Sequence, residues 1–191
     1  MIEIRIHGRG GQGNVVAAYL LAAAAFEAGM YCQAFPAFGA ERRGAPVVAF
    51  VRVANQPILR RNQVLHPAFL IIQDETLLHE KGLTGGLLEG GKMLINSRLS
   101  DAEIADHYGQ PMTSLPATDM ARETIGRPLP NVALLAAFLS LTGIAPLSGL
   151  KAALQERFAG DVLTKNLDLV ELSAAKVTAN AWKETAHAAR A

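Results

Sequence analysis

Strand-like and helix-like hydrophobic patterns alternate along the first half of the chain. Residues 2–7 place an apolar side chain at every second position, which predicts a half-buried strand. Residues 12–29 form an alanine-rich apolar run long enough for a helix. Residues 31–38 are predicted to be extended, and the β-branched, almost continuously apolar segment 47–53 is the clearest strand. The order of these elements favours an α/β architecture.

The second half of the chain continues the same alternation. Buried strands are predicted at 69–72 and 92–96, with a short helix opening at 76–78 and a short extended stretch at 110–116. Helices are predicted at 117–125, 131–141, 146–159 and 166–187, the second of them capped by Asn131. Without repeats or a linker, the chain is predicted to be a single domain over 1–191. The predicted fold is a Rossmann-like three-layer α/β sandwich with a mostly parallel central sheet.

Two of the predicted helices, 12–29 and 131–141, are apolar on every face. A helix that lies on the sheet of an isolated domain normally keeps one polar face towards water. A helix without such a face must be enclosed on more than one side. We therefore expect a partner chain to cover part of this surface.

The composition agrees with a buried subunit surface. Hydrophobic residues make up 50% of the 191 residues and charged residues 18%. No apolar run reaches the roughly 18 residues that a membrane-spanning helix needs, and the N-terminus has no secretory signal pattern. The sequence therefore predicts a cytoplasmic protein whose surplus of apolar residues is covered by partner subunits.

Charge and cysteine content exclude further classes. The formal net charge is +1, and no basic stripe with interleaved aromatic residues indicates nucleic-acid binding. The single cysteine, Cys32, excludes an internal disulfide and an iron–sulfur cluster held by this chain alone, since such a cluster needs about four thiolates. Its place in a predicted strand favours a small core residue over a reactive thiol.

A glycine-rich turn joins the first predicted strand to the first helix. It consists of Gly8, Arg9, Gly10, Gly11, Gln12 and Gly13, and it fits the G-x-G-x-x-G pattern at a strand-to-helix junction. Glycine accepts positive φ and allows close approach of another group, and the N-terminus of the following helix favours anions. The turn therefore indicates either a nucleotide phosphate site or a conformational turn that faces a partner.

The surrounding sequence favours the second interpretation. A dinucleotide fold places an acidic residue about 20 residues after the glycines, at the end of its second strand. Here the second predicted strand ends at 34–38 without a carboxylate. A phosphate-binding P-loop is excluded because no Lys-Ser or Lys-Thr pair closes the glycine run.

A second informative turn, residues 38–46, holds Glu41, Arg42 and Arg43 between glycines. Two guanidinium groups held in this way could clamp a carboxylate or phosphate through paired hydrogen bonds. The alternative is a solvated turn whose surface ion pair contributes little. The residue types alone leave both open.

No catalytic or metal-binding set emerges from the sequence. The five histidines are far apart and show no metal-binding spacing, and there is no G-x-S-x-G motif. Asp74 and Glu75 follow the strand 69–72, which is a plausible functional position but is equally typical of the N-cap of the next helix. We predict no catalytic residue and no metal ligand in this chain, which points to a subunit.

Taken together, these segments resemble the gamma subunit of 2-oxoacid:acceptor oxidoreductases, the pyruvate:ferredoxin oxidoreductase family. The two turns carry most of the resemblance, and it extends over most of the chain. The matching segments are 7–13, 35–47, 73–78, 90–97 and 131–137. Ala40 departs from the pattern, since proline is expected there.

The resemblance implies a function for the whole complex. Enzymes of this family decarboxylate a 2-oxoacid on thiamine diphosphate, pass electrons through [4Fe–4S] clusters and transfer the acyl group to coenzyme A. Thiamine diphosphate and Mg²⁺ belong to the alpha and beta subunits, and the clusters to a ferredoxin-like delta subunit and often to beta. The gamma subunit packs on them and is expected to bind no cofactor by itself.

Several points stay open within this interpretation. The substrate could be pyruvate, a branched-chain 2-oxoacid or an arylglyoxylate. The electron acceptor could be ferredoxin, or NAD through an additional FAD-containing subunit. The alternatives are a free-standing NAD(P)-binding oxidoreductase domain, with Arg42 and Arg43 on a 2′-phosphate, and a pure assembly scaffold without active-site contact.

Overall fold

A six-stranded sheet forms the centre of the protein in a computed structural model that describes residues 1–37, 44–80 and 82–190. The strand order is β2-β3-β1-β4-β5-β6. The strands are β1 (Ile2–Arg9), β2 (Tyr31–Pro36), β3 (Pro46–Ala54), β4 (Phe69–Ile72), β5 (Lys92–Asn96) and β6 (Thr113–Leu115). All six were predicted within a few residues of their bounds.

Strand direction divides the sheet into two parts. β1, β4, β5 and β6 are parallel, whereas β3 runs antiparallel between β1 and β2. The mostly parallel α/β sheet is therefore confirmed, and β3 is its antiparallel strand. A continuous run of apolar residues indicates that both faces of a strand are buried, but it does not indicate whether the neighbouring strands are parallel or antiparallel.

Helices cover the two faces of the sheet unequally. One face carries α1 (Asn14–Glu27) and a group of five further helices, and together they bury the larger core. The group comprises α3 (Ala117–Ile125), α4 (Asn131–Thr142), α5 (Leu147–Arg157), α6 (Gly160–Ala174) and α7 (Lys183–Ala188). The other face has a smaller core with α2 (Asp101–Tyr108) and the 3₁₀ helix Glu75–His79.

Two helix assignments differ from the sequence prediction. The single helix predicted over 166–187 is two helices, α6 and α7, separated by residues 175–182. α2 was not predicted, because Ile104 is its one buried residue and its apolar pattern is weak. The signal that could have revealed it is the capping box, in which Ser100 and Glu103 satisfy each other's backbone N–H groups.

α4 is enclosed by the chain itself. Eleven of its twelve residues are buried, between β5 on one side and other helices of the same layer. Phe138 packs edge-on against Phe69, whose ring stacks on Trp182 at a centroid distance of 5.9 Å. The interpretation that a partner encloses this helix is therefore wrong, because the sheet and the neighbouring helices of this chain already enclose it.

α1 is different, since it exposes large apolar side chains. Tyr19 is 51% exposed and Phe26 68%, and Tyr31 at the start of β2 is 50% exposed. Among the described residues, three of the eight large exposed apolar side chains lie on α1 or at the neighbouring sheet edge. Within the described residues no helix is long and apolar enough to cross a membrane.

Candidate functional site

The glycine turn lies at the point where the strand order reverses. β1 is flanked by β3 on one side and by β4 on the other, and both β1 and β4 end at the same edge of the sheet. Open α/β sheets bind ligands in the crevice at such a switch point. Here a cleft of about 370 Å³ opens beside the turn. Its lining residues are Gln12, Gln73, Asp74, Glu75, Thr76, Asn96, Ser97, Arg98, Pro116, Thr118, Asp119 and Arg122.

Two glycines of the turn are required by backbone conformation. Gly11 has φ of 101°, and Gly13, which precedes α1, has φ of 81°. These are left-handed conformations that other residues adopt only with strain. The turn is therefore shaped by its glycines whether or not it binds a ligand.

Gly8 is required because there is no room for a side chain at this position. A Cβ atom at this position would lie 2.2 Å from Oδ1 of Asn14. Asn14 is buried, and its Nδ2 donates a hydrogen bond of 2.7 Å to the carbonyl oxygen of Val47 on β3. Gly8 thus leaves room for the amide that ties the start of α1 to β3.

We expect Gly8→Ala to destabilise the protein by about 1–3 kcal/mol, because the added methyl group displaces the buried Asn14 amide from Val47. Urea denaturation measures the loss. A double-mutant cycle with Asn14→Ala supplies the control, since the clash disappears with the amide. If the two substitutions are additive, the Asn14 amide does not set the requirement for glycine.

A polar network closes the turn against the end of β4. Gln12 accepts a hydrogen bond of 2.7 Å from the backbone N–H of Arg9 and donates one of 2.8 Å from Nε2 to Asp74. The Arg9 guanidinium donates to Thr76 Oγ1 at 2.8 and 3.1 Å and lies 3.6 Å from Asp74. Thr76 donates to Asp74 through both its backbone N–H and its hydroxyl group. Arg9, Gln12, Asp74 and Thr76 therefore form one unit, which we call the turn network.

Asp74 is held ionised by this network. Burial opposes its ionisation, but hydrogen bonds from Thr76 and Gln12 and the charge of Arg9 outweigh burial and lower the pKa of Asp74. The same carboxylate caps the 3₁₀ helix Glu75–His79 by accepting from Thr76 N–H. The N-cap interpretation of Asp74 is confirmed, and its contact with the glycine turn was not anticipated.

The position of β3 argues against a dinucleotide in this crevice. Gly10 donates its N–H to the carbonyl of Ala45 at 2.9 Å and accepts from Gly44 N–H at 3.1 Å. The backbone leading into β3 is thus bonded directly to the turn. In a dinucleotide fold this side of the first strand carries a parallel strand that ends in an acidic residue. Here an antiparallel strand begins there instead.

The opposite wall of the cleft is a second hydrogen-bonded unit. Asn96 at the end of β5 donates to Gln73 O and Thr118 Oγ1 and accepts from Thr118 N–H. Arg98 forms a bidentate pair with Asp119 at 2.5 and 2.7 Å. These side chains fix the loop after β5 against the start of α3. Asn96, the last residue of a predicted strand, and Thr118, at the start of a predicted helix, were assigned no role from the sequence.

Gln73 is a further buried residue that the sequence analysis did not assign a role. It is fully buried at the end of β4, and neither atom of its side-chain amide has a partner among the described residues. An unpaired buried amide costs about 1–3 kcal/mol. Its signal in the sequence was its place directly after a buried strand.

Three predicted site residues, Glu41, Arg42 and Arg43, lie outside the described residues. The chain on both sides is described, and it approaches the same edge of the sheet as the glycine turn. Ala37 N–H donates to Val48 O, and Gly44 is bonded to Gly10. Arg9 also donates to Gly44 O at 3.2 Å. The turn network and the start of β3 are therefore in direct contact.

The remaining candidate residues are consistent with structural roles. Cys32 packs against the larger core, and burial raises the pKa of its thiol, which disfavours the reactive thiolate. No group of three or more potential metal ligands occurs among residues 1–37, 44–80 and 82–190.

Comparison with known proteins identifies the family. The family model described as pyruvate ferredoxin/flavodoxin oxidoreductase matches residues 3–175. Pyruvate synthase subunit PorC of Methanothermobacter marburgensis is 43% identical over 177 residues, which cover 93% of this chain and 98% of that protein. The common gamma subunit of pyruvate/ketoisovalerate oxidoreductases from Thermococcus kodakarensis is 42% identical over 90% of this chain and 94% of that protein.

Solved structures agree with this result. The pyruvate oxidoreductase subunit PORC of Thermotoga maritima matches with a TM-score of 0.79 and 35% identity, covering 91% of this chain and 95% of that one. A 2-oxoglutarate:ferredoxin oxidoreductase from Magnetococcus marinus shares the fold, with a TM-score of 0.72 and 22% identity, over 98% of this chain and 31% of that longer chain. The chain therefore belongs to the pyruvate ferredoxin/flavodoxin oxidoreductase family, as a subunit of the gamma type.

Proposed function

We propose that this chain is the gamma subunit of a cytoplasmic 2-oxoacid:ferredoxin oxidoreductase that assembles with alpha, beta and ferredoxin-like delta chains. The complex would convert a 2-oxoacid and coenzyme A to an acyl-CoA, CO₂ and reduced acceptor. The observation that carries this proposal is 43% identity to a pyruvate synthase subunit over nearly the full length of both chains. Both named relatives are single subunits of such enzymes.

The cofactors of the reaction belong to the partners in this proposal. A [4Fe–4S] cluster needs about four thiolates, and the chain has one cysteine. Carboxylates that could hold Mg²⁺ for thiamine diphosphate do not cluster among the described residues. The residues of this chain therefore do not fit these groups.

The test of the main proposal is reconstitution. Co-expression with the chains encoded by neighbouring genes should give a complex that contains this subunit and reduces methyl viologen in the presence of a 2-oxoacid and coenzyme A. Pyruvate, 2-oxoisovalerate and an arylglyoxylate are the substrates to compare. A fully active complex that assembles without this chain would contradict the proposal.

We place the contact with partner subunits on the apolar face of α1. Tyr19 and Phe26 are one heptad apart on this helix, and Tyr31 lies on the adjacent edge strand. Large exposed aromatic residues of this kind supply much of the free energy of binding at protein interfaces. Contiguous apolar surface is also rare on isolated soluble chains.

Tyr19→Glu/Phe26→Glu should weaken assembly by at least a hundredfold, because two charges would be desolvated in the interface. Native mass spectrometry of the complex measures the loss. Leu172→Glu is the matched control, since Leu172 on α6 is 52% exposed and lies outside the proposed contact. Unchanged assembly of the double variant would place the interface elsewhere.

Arg42 and Arg43 stay candidates for an anionic contact. Replacing both with alanine is expected to release the subunit from the complex, because planar guanidinium donors pair with acidic partner surfaces. Loss of coenzyme A affinity in an intact complex would instead indicate contact with the ligand, worth about 1.5–3 kcal/mol per charged hydrogen bond. Native mass spectrometry and steady-state kinetics separate the two. An intact complex with unchanged kinetics would mean a solvated loop.

The free-standing NAD(P)-binding alternative is distinguished by calorimetry. The bonds from Gly10 to Gly44 and Ala45 lead us to expect no binding of NAD(H) or NADP(H) at the glycine turn. Saturable binding that is lost in Gly10→Val would overturn this.

The scaffold alternative is distinguished by enzyme kinetics. If the chain is a pure scaffold, a substitution in the cleft that preserves assembly, such as Asp74→Asn, would leave the kinetic constants of the assembled enzyme unchanged.

A further inference from the structure

A second cavity, separate from the cleft at the glycine turn, lies within the helical layer. It has a volume of about 390 Å³ and shares no lining residue with that cleft. It is bounded by α1, the loop before α4, the end of α5 and the start of α6. This volume falls in the usual range of about 300–1,000 Å³ for small-molecule sites. We call it the α1–α6 pocket.

The interior of the α1–α6 pocket is apolar and its rim is basic. Apolar side chains come from α1, α3 and two loops: Val16, Leu20, Ile125, Leu129 and Phe158. Three cationic side chains, Arg127, Arg157 and Lys165, also line it, against one carboxylate, Asp161. Lys165 pairs with Asp161 at 2.8 Å. Among the described residues no carboxylate pairs with Arg127 or Arg157, so the pocket keeps a positive charge.

Backbone geometry adds to this charge. Residues at the N-terminal ends of three long helices line the pocket: Gly13 before α1, Asn131 of α4 and Asp161 of α6. The residues before these helices cap them with no side chain, although Asn131 Oδ1 accepts from Val132 N–H within α4 and Asp161 lies in the first turn of α6. Each such end carries about half a positive charge. Three of them around one cavity favour an anion.

Asn131 adds an amide donor to the lining of the pocket. It is 7% exposed, and its Oδ1 accepts from Val132 N–H at 3.0 Å. Its Nδ2 donates to no described residue and lies against Gly13, where a Cβ atom would come within 2.6 Å of it. A nearly buried amide donor thus lines the pocket without a protein acceptor. This nitrogen is not among the fully buried unpaired atoms of the described residues, so it is accessible to a ligand in the pocket.

We propose that the α1–α6 pocket binds a small amphipathic anion, whose apolar body lies on the Val16, Leu20 and Phe158 surface. Its carboxylate or phosphate group accepts hydrogen bonds from Arg127, Arg157 and Asn131. The volume of about 390 Å³ and the combination of apolar and cationic lining residues favour a small molecule over a segment of a partner chain. This site is independent of the contact that we place on the α1 face.

Equilibrium dialysis with octanoate tests the proposal on the full chain and on the assembled complex. Arg127→Gln/Arg157→Gln should weaken octanoate binding at least tenfold, and octanamide, which lacks the charge, should bind at least tenfold more weakly than octanoate. Arg60→Gln/Arg61→Gln is the control, because it removes the same charge from exposed positions outside the pocket. Octyl phosphate in place of octanoate decides which anionic group is preferred, and tighter binding of either supports the proposal.

Two results would overturn it. Equal loss of octanoate binding in both arginine pairs, or equal binding of octanamide, would mean that no anion site exists in the pocket. Binding by the free chain but not by the complex, together with release of the subunit in Arg127→Gln/Arg157→Gln, would assign the pocket to a partner chain.

Discussion

Arg52→Met should lower the free energy of unfolding by about 3–5 kcal/mol, because it leaves a carboxylate without its partner in a buried site. The Arg52 side chain is fully buried on β3. Its Nε donates to Glu3 Oε1 at 2.7 Å, and its other nitrogens donate to Gln33 Oε1 at 3.0 Å and to Asn62 O at 2.7 Å. Chemical denaturation at neutral pH measures the loss.

Two further variants serve as controls for the effect of the buried ion pair. Arg98→Met removes an ion pair with Asp119 whose arginine side chain is 76% exposed, and it should cost at most about 1 kcal/mol. Arg52→Met/Glu3→Leu should recover much of the loss, since no unpaired charge remains. A cost below about 1 kcal/mol for Arg52→Met alone would contradict a buried and essential ion pair.

Acid should destabilise the protein through His7. Burial lowers the pKa of His7 to about 3, and repulsion from Arg5 adds to this. In the unfolded chain the pKa of histidine is about 6.5, so between these values the unfolded state binds more protons. The stability that neutral His7 provides is therefore complete above about pH 6.5 and is lost progressively as the pH falls towards 3. Between pH 7.5 and 4 the loss should be about 3 kcal/mol.

His7→Gln should flatten this part of the stability profile, because glutamine keeps a polar side chain that does not titrate. His66→Gln is the matched control, since His66 is exposed. Urea denaturation at half-unit pH intervals from 7.5 to 4 compares the three proteins. Parallel profiles for His7→Gln and the unsubstituted chain would show that the buried imidazole does not control acid stability.

Arg52 and His7 lie on a polar face of the sheet, and the sequence pattern did not show that this face is covered. The alternation in β1 predicts a half-buried strand with Glu3, Arg5 and His7 on the polar face. In the structure this face is covered, since Arg52 donates to the carbonyl of Asn62 and Arg5 donates to that of Leu83 at 2.7 Å. Alternation records which side chains share a face, and it carries no information on which loops return to cover them.

Local patterns determined the elements and the family of this protein. The short apolar runs within 69–72 and 92–96 favour buried strands, and the glycines at 11 and 13 have positive φ in the turn before α1. The spacing of the glycine turn and of the Arg42–Arg43 turn carried the resemblance that the relatives confirm. These features depend on neighbours within a few residues, and a sequence displays such neighbours directly.

Long-range contacts were decided only by the tertiary structure. Nothing local places β3 between β1 and β2, joins Gln12 to Asp74, or encloses α4 between β5 and α6. Each of these contacts links segments that are far apart in the chain, and its free energy depends on how all layers pack together. The apolar surface of α4 was visible in the sequence, but whether this chain or a partner covers it was fixed by the three-dimensional arrangement of the other helices.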